Sequence, residues 1–299
     1  MTAGKYESPG DFKQALEARL RNASATGLDL ARRRQLVVFD RFLARVVQVM
    51  GDVVVLKGGL VLELRLERAR TTRDIDLRYE GDEASLLSKL RQAGRLDLGD
   101  FLAFEVREAA KHAEILDEVG QQMALRYRTE ARLAGKLYGE PFGVDVGFGE
   151  PIIGEPDIVR SQDVLGFAGI PPPTLRFYPV ESHIAEKLHA YTLPRDRPNS
   201  RVKDLPDLAL LGRTRRIEAK ALREAIVATF AFRQTQPVPV FVPDPPAEWA
   251  PVYERMARQD ELEWRTVYDV VSAVRAFLGP VLSGEDVGRW IPAEWRWES

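Results

Sequence analysis

Two aspartates stand one residue apart in the stretch RARTTRDIDLRYEG, which runs from Arg68 to Gly81 with arginines on both sides of the pair. In an extended strand side chains alternate, so Asp74 and Asp76 share a face with backbones roughly 6.5–7 Å apart. Ile75 and Leu77 point the other way and anchor the strand in a core. Like charges at that spacing repel unless a cation lies between them, whether an arginine or a metal. Two short carboxylates so placed can converge on a pair of divalent ions about 3.5–4 Å apart, and magnesium prefers such oxygen donors.

That chemistry needs a third carboxylate from a neighbouring strand. The run FGVDVGFGEP supplies Asp145, a lone acid between Val144 and Val146 that is costly to bury without a partner. A metal shared with Asp74 and Asp76 is one such partner, and an arginine such as Arg126 or Arg128 is another. Phosphate needs a cradle as well. LKGGLVLEL offers one at Gly58 and Gly59, where a strand turns into a helix whose first N–H groups and dipole favour an anion.

These residues need a scaffold, and the hydrophobic pattern outlines it. SPGDFKQALEARL opens on Ser8-Pro9 and places Phe12, Leu16 and Leu20 four apart, a capped amphipathic helix. LDLARRRQLVVFDRFLARVVQVM continues as a second helix whose arginines read as a solvated face. DVVVL is a short buried strand, LVLELRL a helix starting at the glycines, and DIDLRY a second strand. EASLLSKLRQAG is a helix stopped by Gly94. DFLAFEVRE, QMALRYRTEARLAG and PFGVDVGFGEP are three further strands, the middle one a hairpin partner of its neighbours. The order predicts an α+β fold with a mixed sheet.

GIPPPTLRFYP, at 169 to 179, reads as a proline-rich connector, and beyond it the pattern is mainly helical. The expected divisions are N-terminal helices over 1–50, a core over 51–168 and a helical C-terminal domain over 169–299. RQTQPVPVFVPDPPAEWAP is a proline-broken excursion between helices.

The run from Val53 to Leu77 resembles the first motif of the DNA polymerase β-type nucleotidyltransferases, and more closely the AbiEii/AbiGii toxin family. The matching residues are Lys57-Gly58-Gly59, Arg70, Thr72, Asp74 and Asp76. EKLHAY resembles the family's helical Lys-Leu motif and places its lysine at Lys187. RVKDLPDL resembles its Arg-x-Lys-Asp-x-x-Asp-Leu motif, giving Arg201, Lys203, Asp204 and Asp207. The resemblance covers most of residues 8 to 215. Where many polymerase β-type enzymes carry Gly-Ser, this chain has Gly58-Gly59, followed by the larger Leu60-Val61.

The resemblance implies a polymerase β-like nucleotidyltransferase domain that moves a nucleotide from an NTP to an acceptor hydroxyl, with pyrophosphate leaving. Asp74, Asp76 and Asp145 would hold two magnesium ions, Asp145 also helping to deprotonate the acceptor. Lys57, Gly58, Gly59, Arg70, Thr72 and Arg73 would surround the nucleotide. Lys187 would meet its β- and γ-phosphates, and Asp204, ahead of Asp207, would position that lysine or the acceptor. Without the resemblance Lys187 is an ordinary solvated lysine, and the two acids are a helix start with local ion pairs. An RNA acceptor, the tRNA 3′ end, is expected, with growth arrest as the outcome and a separately encoded antitoxin as partner. Arg195, Arg197, Arg201 and Lys203 form a basic stretch suited to an RNA backbone. Two rivals stay open: transfer to a protein or small molecule, and a catalytically silent binding protein whose carboxylates are merely paired with arginines.

Composition constrains the rest. The 299 residues carry 43 Lys and Arg against 45 Asp and Glu, a net charge of −2, which excludes a uniformly basic coat protein and leaves a local basic groove open. With no cysteine there is no disulfide, thiol catalysis or cysteine zinc site. His112, His183 and His189 lack metal-ligand spacing. The N-terminus shows no secretory pattern, and no apolar run is long enough to span a bilayer, so a cytoplasmic protein is expected.

Overall fold

The computed structural model describes residues 6–66, 72–109, 114–116, 122–194 and 201–299. Two compact units emerge. The first comprises Met1–Lys57, Thr72–Gly149 and Ile158–Phe177; the second comprises Gly58–Thr71, Glu150–Asp157 and Tyr178–Ser299.

The first unit opens with α1 (Pro9–Asn22) and α2 (Gly27–Met50). Each begins at a capping hydroxyl: Ser8 Oγ accepts from the Asp11 N–H and Thr26 Oγ1 from the Asp29 N–H, both at 3.1 Å. Strands β1 (Val54–Lys57) and β2 (Ile75–Tyr79), helix α4 (Glu83–Arg95) and strands β3 (Leu102–Glu108) to β9 (Thr174–Phe177) complete it. The intervening strands are β4 (Glu114–Leu116), β5 (Gln122–Leu133), β6 (Lys136–Leu137), β7 (Phe142–Phe148) and β8 (Asp157–Arg160), while helix α3 (Gly58–Leu66) belongs to the second unit. The strands join one mixed sheet in the order β3-β5-β7-β2-β1-β9-β8, with β4 and β6 also on β5. The expected hairpin role of the middle strand holds, since β5 runs antiparallel to both β3 and β7.

One face of this sheet is apolar. Ile75, Leu77, Val144 and Val146 are buried, and Phe39 and Phe42 of α2 pack edge-on against Phe142. Each such side chain contributes about 1.5–3 kcal/mol on burial. The same alternation sends Asp76 and Asp145 to the opposite face.

Three expectations need correction. The arginines of α2 are not all solvated: Arg45 and Arg41 are buried and converge on Asp100, Arg45 through bonds of 2.8 and 2.6 Å and Arg41 at 2.8 Å. Burial acts to raise the Asp100 pKa, but the Arg45 and Arg41 partners win and hold it below the ordinary carboxylate value. Gly94 does not stop α4, which continues through Arg95. It is there for close approach, because a Cβ would lie 2.5 Å from the Phe104 carbonyl oxygen. The proline-rich connector also contains a strand: after the three prolines, β9 pairs parallel to β1, Leu56 opposite Phe177. Prolines rule out ladder donation only at their own positions, so the residues after them are free to pair.

The second unit contains α3, α5 (Val180–Thr192), α6 (Asp204–Thr214), α7 (Ala219–Arg233), α8 (Ala250–Gln259) and α9 (Val267–Ser283). Leu62, Ile184, Leu188, Leu205, Leu208, Leu222, Val274 and Phe277 share its apolar core. A small antiparallel sheet of β10 (Ile217–Glu218), β11 (Arg289–Ile291) and β12 (Arg296–Glu298) is absent from the sequence reading. Its Trp290 is buried and donates through Nε1 to the Gly212 carbonyl at 2.8 Å. Among the described residues no helix is long and apolar enough to cross a membrane.

Candidate active site

β2 and β7 lie side by side and parallel, with Asp76 directly opposite Asp145. On the other side of β2, Lys57 closes β1 directly opposite Asp76. On the far side of β7, Arg126 of β5 stands opposite Asp145 and Arg128 opposite Gly143. Cross-strand neighbours share a face, so register alone gathers Lys57, Asp76, Asp145 and Arg126 into one row. Asp74 joins them from just before β2.

The partner of Asp145 is Arg126, through two bonds of 2.7 and 2.6 Å in fork geometry. Arg128 was the alternative, and the register decides against it. The bonds from Asp145 push the Arg126 pKa above its ordinary value; partial burial opposes this, and the charges of Asp145, Asp74 and Asp76 add to it. One guanidinium therefore sits in the field of all three acids. Asp74 is fixed separately: its Oδ1 accepts the Gly143 N–H at 3.0 Å. A Cβ on Gly143 would lie 2.7 Å from that same oxygen, so only glycine leaves Asp74 its place. Sequence reading missed Gly143, whose one signal was a glycine two residues before a lone strand aspartate.

Thr72 is buried, with its hydroxyl 3.4 Å from the Asp74 carbonyl. Its own carbonyl accepts from Arg32 of α2 at 2.8 Å. Burial lowers the Arg32 pKa to about 10, still a cation at neutral pH. Arg73 is exposed. Arg70 lies outside the described residues.

Among the described residues no three of His, Cys, Asp and Glu are close enough together to hold a metal ion. Carboxylate oxygens are the donor type a hard divalent cation takes, and here the charges of Asp74, Asp76 and Asp145 all act on the Arg126 guanidinium. Both oxygens of Asp145 are bonded to Arg126.

The second unit holds the later motifs. Gly58 starts α3 directly after β1 with φ of 71°, a left-handed value that favours glycine, and Gly59 is buried. Lys187 of α5 lies between two acids of α6, 2.9 Å from Asp204 Oδ1 and 2.8 Å from Asp207 Oδ2. Both aspartates are fully buried, so Lys187 is not a solvated lysine. Arg201 adds a cation 3.6 Å from Asp204 Oδ2. Lys203 precedes α6 at its N-cap. Arg195 and Arg197 lie outside the described residues. Nearby arginines are engaged structurally: Arg215 pairs with Glu181 at 2.6 Å, and Arg213 pairs with Glu263.

An acid row on a mixed sheet with helices before it, and a helical unit carrying the lysine motif, define the nucleotidyltransferase class of fold. The family described as "Nucleotidyl transferase AbiEii toxin, Type IV TA system" matches residues 41–272, and the chain belongs to it. Among solved structures, the chain is similar to MenT4, nucleotidyltransferase toxin Rv2826c from Mycobacterium tuberculosis H37Rv. Identity is 18%, coverage is 90% of this chain and 98% of that one, and the TM-score is 0.54. A putative nucleotidyltransferase from H. pylori aligns at 12% identity over 84% of this chain and 95% of that one, with a TM-score of 0.43. JHP933 from Helicobacter pylori aligns at 15% identity over 66% and 79%, with a TM-score of 0.39. No curated protein matches.

Proposed function

We propose that the protein is a toxin that transfers a nucleoside monophosphate from an NTP to an RNA acceptor, the tRNA 3′ end, and so blocks translation. The observation that carries this reading is the in-register pair Asp76 and Asp145, with Asp74 beside them and one guanidinium in the field of all three. Asp74, Asp76 and Asp145 would hold magnesium, which supplies charge neutralisation at the reacting phosphate. In the reaction the acceptor hydroxyl oxygen forms a bond to the α-phosphorus and the bond to the β-phosphate oxygen breaks, releasing pyrophosphate. The hydroxyl proton passes to Asp145 once Arg126 has left it. Lys57, Gly58, Gly59, Arg70, Thr72 and Arg73 would hold the nucleotide. Lys187, oriented by Asp204 and Asp207, would offset phosphate charge, and Arg195, Arg197, Arg201 and Lys203 would hold RNA. The protein would act in the cytoplasm, with a separately encoded antitoxin as its partner.

The test is incubation of the purified protein with each α-labelled NTP and either total RNA or protein extract. Label in RNA is expected, lost in Asp74→Ala and Asp145→Ala together with toxicity on overexpression. Label only in protein overturns the RNA acceptor in favour of protein modification. A second reading is favoured by the closed Arg126–Asp145 pair: a silent binding protein with structurally paired acids. Full toxicity in either aspartate variant would overturn the metal mechanism.

A further inference from the structure

The sheet face that carries the acids continues onto β5 and β3, where charge is arranged in an unusual way. Arg107 of β3 stands directly opposite Arg128 of β5. Like charges directly opposite in an antiparallel pair are destabilising. Arg107 is answered by Glu130 at 2.5 Å. Arg128 is exposed and has no carboxylate partner among the described residues. Beside them Arg126 holds Asp145. These three arginines line a cavity of about 500 Å³ together with Asp74, Glu108, Ala109, Tyr127 and Gly143.

A cavity lined by a cross-strand arginine pair and by the carboxylates of Asp74 and Glu108 calls for an anion that bridges the arginines and tolerates neighbouring carboxylates. Guanidinium forks suit phosphate oxygens. We propose that this cavity is a phosphate-binding subsite in which Arg107 and Arg128 grip a phosphate group of the reacting nucleic acid or nucleotide, beside Asp74. The inference rests on the nucleotidyltransferase reading for its ligand, but its geometry is independent of the later lysine motif. The shared chemistry is a phosphodiester or phosphate ester, and its source is either the RNA backbone or the NTP.

Binding, not turnover, is the measurement. Titration calorimetry with each of the four NTPs and fluorescence anisotropy with total tRNA over a salt series would be run on the full chain. The variants are Arg128→Ala, Arg107→Ala and Arg128→Lys, with exposed Arg255→Ala of α8 as control. A phosphate from RNA predicts roughly tenfold weaker tRNA binding in Arg128→Ala and a salt slope reduced by about 0.7 per lost contact, with NTP binding unchanged. A phosphate from the nucleotide predicts the weakening in the NTP titration instead. Arg128→Lys, which keeps the charge without the fork, should fall between wild type and Arg128→Ala. If Arg128→Ala and Arg107→Ala bind both ligands as wild type does, the subsite is overturned while the transfer reading stands. If the wild type binds neither ligand, both fall together.

Discussion

Two parts of the molecule solve the same problem, carboxylates gathered around one cation, in opposite ways. In the helical unit, Lys187 is 14% exposed and both of its aspartates are fully buried. In the sheet unit, Arg126 is 41% exposed and Asp145 13%. A buried cluster has no water to fall back on, so removing its cation leaves charges stranded. In the Arg126–Asp145 pair only the guanidinium is well exposed and screened by water, while the carboxylate is about as covered as Lys187. The first buries both acids and most of its cation, and the second leaves its cation in reach of water.

Lys187→Ala breaks this contrast most severely. It leaves Asp204 and Asp207 buried without their lysine and should cost about 3–5 kcal/mol, read as a large drop in the urea midpoint. A midpoint within error of wild type would show that the cluster is not the fixed one. Next comes Asp145→Asn, which should lower nucleotide incorporation by about 10²-fold or more with the fold retained by circular dichroism. Gly143→Ala should cost about 1–3 kcal/mol by crowding Asp74, with a drop in incorporation. Unchanged activity there would mean that Asp74 need not sit where Gly143 holds it. The smallest effect belongs to Arg126→Ala. Stability should fall by about 1 kcal/mol, because the exposed guanidinium is screened but Asp145 is left mostly covered without a partner, while magnesium binding by calorimetry becomes tighter because the competing guanidinium is gone. Weaker magnesium binding in that variant would make Arg126 a support of the acids and not their exchangeable occupant.

The acids of the sheet were legible in the sequence because they obey a period of two inside apolar strands, and Ile75, Leu77, Val144 and Val146 fix which way each carboxylate points. Their partner was not legible. Arg126 and Arg128 share a face and a chemistry, and only the long-range register of β5 on β7 sets Arg126 opposite Asp145. Arg41 and Arg45 looked like solvated helix residues because their partner, Asp100, lies more than fifty residues on. For the lysine cluster, the family motif marked the residues, but their burial depends on helix packing that no local spacing encodes. The tryptophans of the C-terminal sheet carried no periodic signal, since β10 to β12 are two or three residues long.

The pairing of β9 with β1 also orders events in time. β1 ends at Lys57 and its parallel neighbour begins at Thr174, so a ribosome must make well over a hundred further residues before that side of β1 is covered. Until then the strand that places Lys57 opposite Asp76 is an open edge, and parallel contacts this distant in sequence form slowly. A nascent chain can therefore display the acid-bearing strands before the sheet holding them is complete. The row of Lys57, Asp76, Asp145 and Arg126 is thus complete in sequence by β7, while the β9 edge of β1 is covered only later.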